Sequence, residues 1–161
     1  MAVSKANRKK REQSGPSAFN NVRNQIAYCG LWCGSCSVGN GTANDRAQAC
    51  LKTIKDYGID EGGPKGVDYN ELLRGLTAIS SMKPCVGCLK GGGKTNCEIR
   101  ACAKAKHVAE CAECGNEKTC IHADFIQHMR SGALRVGMKV KTTRGSSPKQ
   151  LNAWRTEFEE A

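Results

Sequence analysis

Cys29-Gly30-Leu31-Trp32-Cys33-Gly34-Ser35-Cys36 places three cysteines within eight residues, and Cys85-Val86-Gly87-Cys88 with the run on to Cys120 echoes it. The chain has 161 residues and eleven cysteines, ten of which fall in these two blocks. Three are C-x-x-C pairs: Cys33/Cys36, Cys85/Cys88 and Cys111/Cys114. A turn of that length aims two sulfurs and several backbone N–H groups at one point, the local geometry of a metal knuckle. Two such pairs supply four soft thiolates at tetrahedral corners, which suits zinc. The ten sulfurs of Cys29, Cys33, Cys36, Cys85, Cys88, Cys97, Cys102, Cys111, Cys114 and Cys120 suffice for two or more Zn²⁺ ions. Spacing leaves open which of them share a metal.

Working outward, the bulk composition fits a domain held together by metal. Aromatic residues are only 5% of the chain, glycines number 18, and the mean hydropathy is −0.51. A chain so poor in large apolar side chains buries little area per residue, and metal staples make up such a deficit. No apolar run approaches the roughly 20 residues of a membrane span. Met1-Ala2-Val3-Ser4-Lys5 lacks the apolar core of a secretory signal. The expected compartment is therefore the cytoplasm, where thiols stay reduced, and an odd cysteine count also argues against a disulfide framework.

The formal charge of +10 treats every thiol as neutral. A zinc ion held by four thiolates carries a net charge of about −2, so two such centres remove about four units. The rest is unevenly spread. Residues 1–25 hold six basic residues and one acid, and residues 130–149 hold six basic residues and no acid. The rest of the chain, including the cysteine region, is close to neutral.

Three segments follow. Residues 1–25, with Lys5, Arg8, Lys9, Lys10 and Arg11 ahead of Ser14-Gly15-Pro16-Ser17, read as a basic flexible arm without buried periodicity. Residues 26–129 form the cysteine-rich domain. Within it, Ala47, Leu51 and Ile54 mark a helix over 43–57 that Gly58 stops, carrying Cys50 either as a further ligand or as a small packed hydrophobe. Asp68 followed by Glu71 resembles a capping box opening a helix to about Ser81, with Leu72, Leu73, Leu76 and Ile79 as its core stripe. A helix spans Cys97 to Ala109, and another from Cys120 bears Ile121, Phe125 and Met129, with Gly132 expected to close it. In residues 130–161 a basic segment leads to Ser147-Pro148-Lys149-Gln150, read as an N-cap serine, a first-turn proline and a capping glutamine. Leu151, Trp154 and Phe158 then line one face, expected to dock on the chain's own domain. No strand pattern of useful length appears. The predicted fold class is mainly α, a small irregular metal-stabilised domain with cysteine knuckles between short helices.

An iron–sulfur centre, in particular a [4Fe-4S] cluster, is the rival to zinc. Cys29-x₃-Cys33-x₂-Cys36 has the spacing of the radical-SAM cluster motif. The chain nevertheless lacks the alternating strands and helices of the barrel those enzymes need. The ferredoxin run C-x₂-C-x₂-C-x₃-C is absent. Gly93-Lys94-Thr95 mimics the end of a P-loop, but Cys88 stands where its first glycine belongs. No C-x-x-C is followed by histidine, which excludes covalent haem attachment. His107, His122 and His128 fall outside any zinc-finger histidine frame. No nucleophile–base arrangement or acid pair stands out.

The order of blocks at 29–36, 85–88, 97–103 and 111–114, followed by Cys120, resembles the DUF3795 family of small cysteine-rich prokaryotic proteins without an assigned function. The resemblance covers roughly residues 26–125, implies that the ten block cysteines are metal ligands, and implies no activity.

Three functions remain open from sequence. One is a non-catalytic metal-binding accessory protein, zinc favoured, docking on a larger protein or ribonucleoprotein assembly through its basic flanks. Another is an iron–sulfur electron-transfer or cluster-carrying protein. The third is an enzyme with a metal-bound water, which needs an open fourth position. Charge distribution favours the first.

Overall fold

The first cysteine block folds around one tryptophan. Trp32 is fully buried, and its indole N–H donates to the Arg23 carbonyl at 2.9 Å. Gly34 lies against the ring, where an added Cβ would stand 2.5 Å from an indole carbon. Asn40, also buried, donates from Nδ2 to the Gly34 carbonyl at 2.9 Å and ties off the loop. The sequence Cys33–Ser35 thereby becomes a single 3-10 turn between extended residues.

The computed structural model describes residues 18–116 and 119–160. Among them are seven helices: α1 (Phe19–Val22), α2 (Thr42–Asp56), α3 (Ile59–Gly62), α4 (Tyr69–Ser80), α5 (Glu98–Ala105), α6 (Ala123–Arg135) and α7 (Ser147–Glu160). Short 3-10 turns at Cys33–Ser35 and Cys111–Glu113 span two of the C-x-x-C pairs, and a third at Cys88–Lys90 begins at the second cysteine of the remaining pair. The described residues contain no strand, only isolated antiparallel bridges between Ile26 and Trp32 and between Leu31 and Val140. The expectation of short helices strung between cysteine turns holds.

Two helices begin and end as their sequences predict. Asp68 caps α4 by accepting from the Glu71 backbone N–H at 3.0 Å. Its last carbonyls are satisfied from α2: Asn44 Nδ2 donates to the carbonyls of Ile79, Ser80 and Met82. Helices α2 and α4 pack as a pair, but the stripe on α4 is only partly core. Leu73 and Leu76 are half-buried, whereas Leu72 and Ile79 are exposed. Cys50 is exposed on α2, so it does not serve as a packed hydrophobe.

Four boundaries differ from expectation. The Lys5–Arg11 run lies outside the described residues, but residues 18–25, expected in the arm, belong to the core: Phe19, Val22 and Gln25 are buried. Helix α5 ends at Ala105 rather than 109, because His107 takes a positive φ of 53°. Helix α6 runs through Gly132 to Arg135 and closes at Gly137 instead. There φ is +77°, Gly137 N–H donates to Leu134 and Met138 N–H to Ala133, a Schellman closure. The cap of α7 is Ser146, whose Oγ accepts from Lys149 N–H and whose carbonyl accepts from Gln150 N–H. Ser147 is turned inward to other work.

Helix α7 docks on the first block as expected. Trp154 stacks on Trp32 at 5.8 Å between centroids, and Phe158 stacks on Phe19 at 4.8 Å. A second cluster, centred on Ala27, Cys29, Ile99 and Ile126, lies among the cysteines.

Candidate metal centre

Each cysteine turn is held by a buried polar group from elsewhere in the chain. For Cys85–Cys88 that group is Gln25. Its Nε2 donates to the carbonyls of Asn21 (2.7 Å) and Val86 (3.0 Å), and its Oε1 accepts from Leu89 N–H at 3.1 Å. Gly87, at φ +88°, lies so close to this amide that any Cβ would collide with it. A Cβ on Gly92 would stand 2.7 Å from Cys85 Sγ and 2.8 Å from the Gly87 nitrogen, so this knuckle is tightly closed.

The turn at Cys111–Cys114 is anchored at both ends. Cys111 N–H donates to the Tyr28 carbonyl at 2.7 Å, which sets it beside the first block. Glu110 and Glu113, which flank Cys111 and precede Cys114, both pair with Lys141 Nζ at 2.8 Å. Lys141 and Glu110 are buried, with side chains 3% and 4% exposed. Ser147 Oγ accepts from the same ammonium and donates to Glu110. Lys141 is delivered there by backbone pairing: Trp32 N–H donates to Lys139, and Lys141 N–H donates to Gly30. Gly30 has φ +97°, and a Cβ on it would run into the Lys141 carbonyl.

Two adjoining groups of cysteines can be traced, with Cys29 beside both. In the first, burial pushes the Cys33 thiol up to about 11; a backbone hydrogen bond at Cys88 opposes this, and the sulfurs of Cys88, Cys85 and Cys29 raise it further. Cys29 is also raised, chiefly by burial, with Cys88 and Cys97 as charged neighbours. Cys97 stands at the N-cap position of α5 without a side-chain capping bond, and Cys36 sits half-buried at the end of the first turn.

In the second neighbourhood Cys102, Cys111, Cys114 and Cys120 line one cavity of about 290 Å³. Ile99, Ala103 and Ile126 contribute apolar surface to it. Burial pushes the Cys111 thiol up to about 11; Cys29 adds to the rise, Arg130 lowers it, and Cys120 and Cys102 add again. Arg130 reaches in from α6, where its Nε donates to the Cys29 carbonyl at 2.9 Å. Its Nη2 is buried with no hydrogen-bond partner among the described residues. Lys106 Nζ stands 4.0 Å from Cys114 Sγ. His122 also lines the cavity, with Nδ1 3.6 Å from Glu98 Oε2.

Among the described residues no three Cys, His, Asp or Glu side chains converge so as to hold a metal ion. The donor chemistry still fits metal: ten thiols occur in two neighbourhoods, and one carries an orphaned guanidinium nitrogen that an anionic thiolate centre would satisfy.

Sequence reasoning missed Gln25, Lys106, Glu110, Arg130 and Lys141. A signal existed for Arg130, which falls four residues after Ile126 and three before Ala133, both buried on α6. Gln25 and Lys141 carry none: the first lies in the stretch that reads as a basic arm and the second in a basic segment, and no residue pattern there marks a buried polar group.

A family model described as DUF3795, protein of unknown function, matches residues 25–124. The chain belongs to that family. No curated protein and no solved structure matches it. Among the described residues no helix is long and apolar enough to cross a membrane.

Proposed function

We propose that this chain is a non-enzymatic metal–thiolate protein with two centres. The first draws on Cys29, Cys33, Cys36, Cys85, Cys88 and Cys97, the second on Cys102, Cys111, Cys114 and Cys120. The observation that carries the reading is the second set, where four thiols and Arg130 line one cavity and the Arg130 Nη2 is buried without a hydrogen-bond partner. Neutral thiols give that guanidinium no counter-charge, whereas an anionic metal–thiolate centre beside it would.

Zinc is the ion we assign to the first centre, where the C-x-x-C pairs Cys33/Cys36 and Cys85/Cys88 offer the four soft thiolates that a tetrahedral ion takes. Metal analysis of anaerobically purified protein tests the whole reading. Tightly held metal at two sites per chain is the expected result, and a chain that retains none would sink it.

As an accessory protein it would dock on an acidic partner, protein or ribonucleoprotein. In the 130–149 flank Arg130, Lys139 and Lys141 are engaged within the chain, by the Cys29 carbonyl, Glu157 and the Glu110/Glu113 pair. Docking in this reading therefore rests mainly on Lys5, Arg8, Lys9, Lys10 and Arg11. Removing residues 1–17, and not 1–25, keeps the core intact. It should flatten the salt dependence of polyanion binding; equal slopes for both forms would count against docking by the arm.

A further inference from the structure

The two thiol neighbourhoods differ in a way that bears on what each holds. A single zinc ion, with Zn–S bonds of about 2.3 Å, draws its four sulfurs to within roughly 3.8 Å of one another. Among the described residues neither set converges in that manner, but the second stands around a cavity of about 290 Å³. That volume is nearly ten times the share of liquid occupied by one water, roughly 30 Å³. A cubane iron–sulfur cluster presents the opposite demand from zinc, since each thiolate binds a different iron and the four sulfurs must spread around the cluster body.

The charges agree with an anionic occupant. A [4Fe-4S] core with four thiolates carries a net charge of about −2 in its oxidised form. Lys106 and Arg130 line the cavity against one carboxylate, Asp124, and the Arg130 Nη2 proton donors lack a partner. Hydrogen bonds and nearby cations of this kind set the potential of a cluster. Apolar Ile99 and Ile126 on the lining suit sulfide, which is a poor hydrogen-bond acceptor compared with oxygen.

We infer that Cys102, Cys111, Cys114 and Cys120 form a [4Fe-4S] site distinct in kind from the first centre, with Lys106 and Arg130 as its positioning cations. This rests on the metal–thiolate reading above and specifies one of its two centres. Assembly from equal ferrous and ferric iron with sulfide balances without an external oxidant, and the four thiol protons pass to solvent.

The test is anaerobic reconstitution of the full chain with that iron mixture and sulfide, in parallel with Zn²⁺ alone. The inference expects a brown protein with about four irons and four sulfides per chain. The chromophore should vanish in Cys102→Ser and Cys120→Ser but persist in Cys85→Ser. Lys106→Gln leaves every thiol in place, so folding failure does not cloud it. On dithionite reduction it should show a potential shifted to more negative values, because a cation near the reduced cluster has been removed. A colourless protein carrying zinc at both centres overturns the cluster while sparing the metal–thiolate reading. A chromophore lost in Cys85→Ser and kept in Cys120→Ser also overturns it. Failure to retain any metal overturns both.

Discussion

Gln25 shows how much one side chain can do at a cysteine turn. Its amide makes three backbone hydrogen bonds, two of them into the Cys85–Leu89 knuckle, and it is 5% exposed. Gln25→Leu keeps approximate volume but leaves the Val86 carbonyl and the Leu89 N–H unpaired. Orphaning a buried polar group costs about 1–3 kcal/mol, so the variant should hold the knuckle less rigidly and release metal from the first centre faster. Competition with a chromophoric chelator measures this; release at the wild-type rate would show that the knuckle orders itself without the clamp. No motif marks Gln25, because its role arises from a partner 61 residues away. The cysteines, by contrast, were legible because ligand spacing is local.

Local signals also account for which helices were legible. Asp68 and the paired stripe of α4 lie within one element, so its start and end could be read directly. Gly132 could not, because a glycine inside a helix costs only about 1 kcal/mol and Gly137 offered a better closure five residues on. The sequence after α6 reads as a charged flank, and its conversion into a strap depends on pairing between 139–141 and 30–32, which sequence periodicity cannot show. Lys141 is the fastening point. Lys141→Met removes the ammonium and leaves Glu110 buried without a counter-charge, a loss in the range of about 3–5 kcal/mol. Denaturant unfolding of the metal-loaded protein should show that decrease. The double variant Lys141→Met/Glu110→Gln should recover part of it, since no lone charge then remains buried. Equal stability of the single and double variants would mean that the pair is not the fastening.

At the scale of the whole molecule, the large aromatic core is confined to the region where Phe19, Ile26, Trp32 and Trp154 meet, a second cluster lies among the cysteines, and α2 and α4 pack on each other. Three of the thiols, Cys29, Cys33 and Cys111, are held in a state that resists ionisation. Burial first, and neighbouring sulfurs after it, hold Cys33 and Cys111 at about 11. A group raised in this way contributes fully to the metal-free fold below its ordinary value of 9.0, and that contribution is lost as pH rises through about 11. At neutral pH these thiols are therefore protonated until a cation displaces the protons. Loading should release protons into weakly buffered solution, and affinity should fall as pH falls because each ligand must be deprotonated to bind. The same dependence governs folding. Glycine-rich turns, ordered at a cost of about 1–2 kcal/mol per residue, have little apolar burial to offset it outside the tryptophan cluster. Strong chelation should abolish most of the helical circular dichroism and broaden the thermal transition. If the metal-free chain instead keeps a cooperative transition near that of the loaded protein, with no protons released on loading, the tryptophan cluster rather than the thiols is what holds the molecule together.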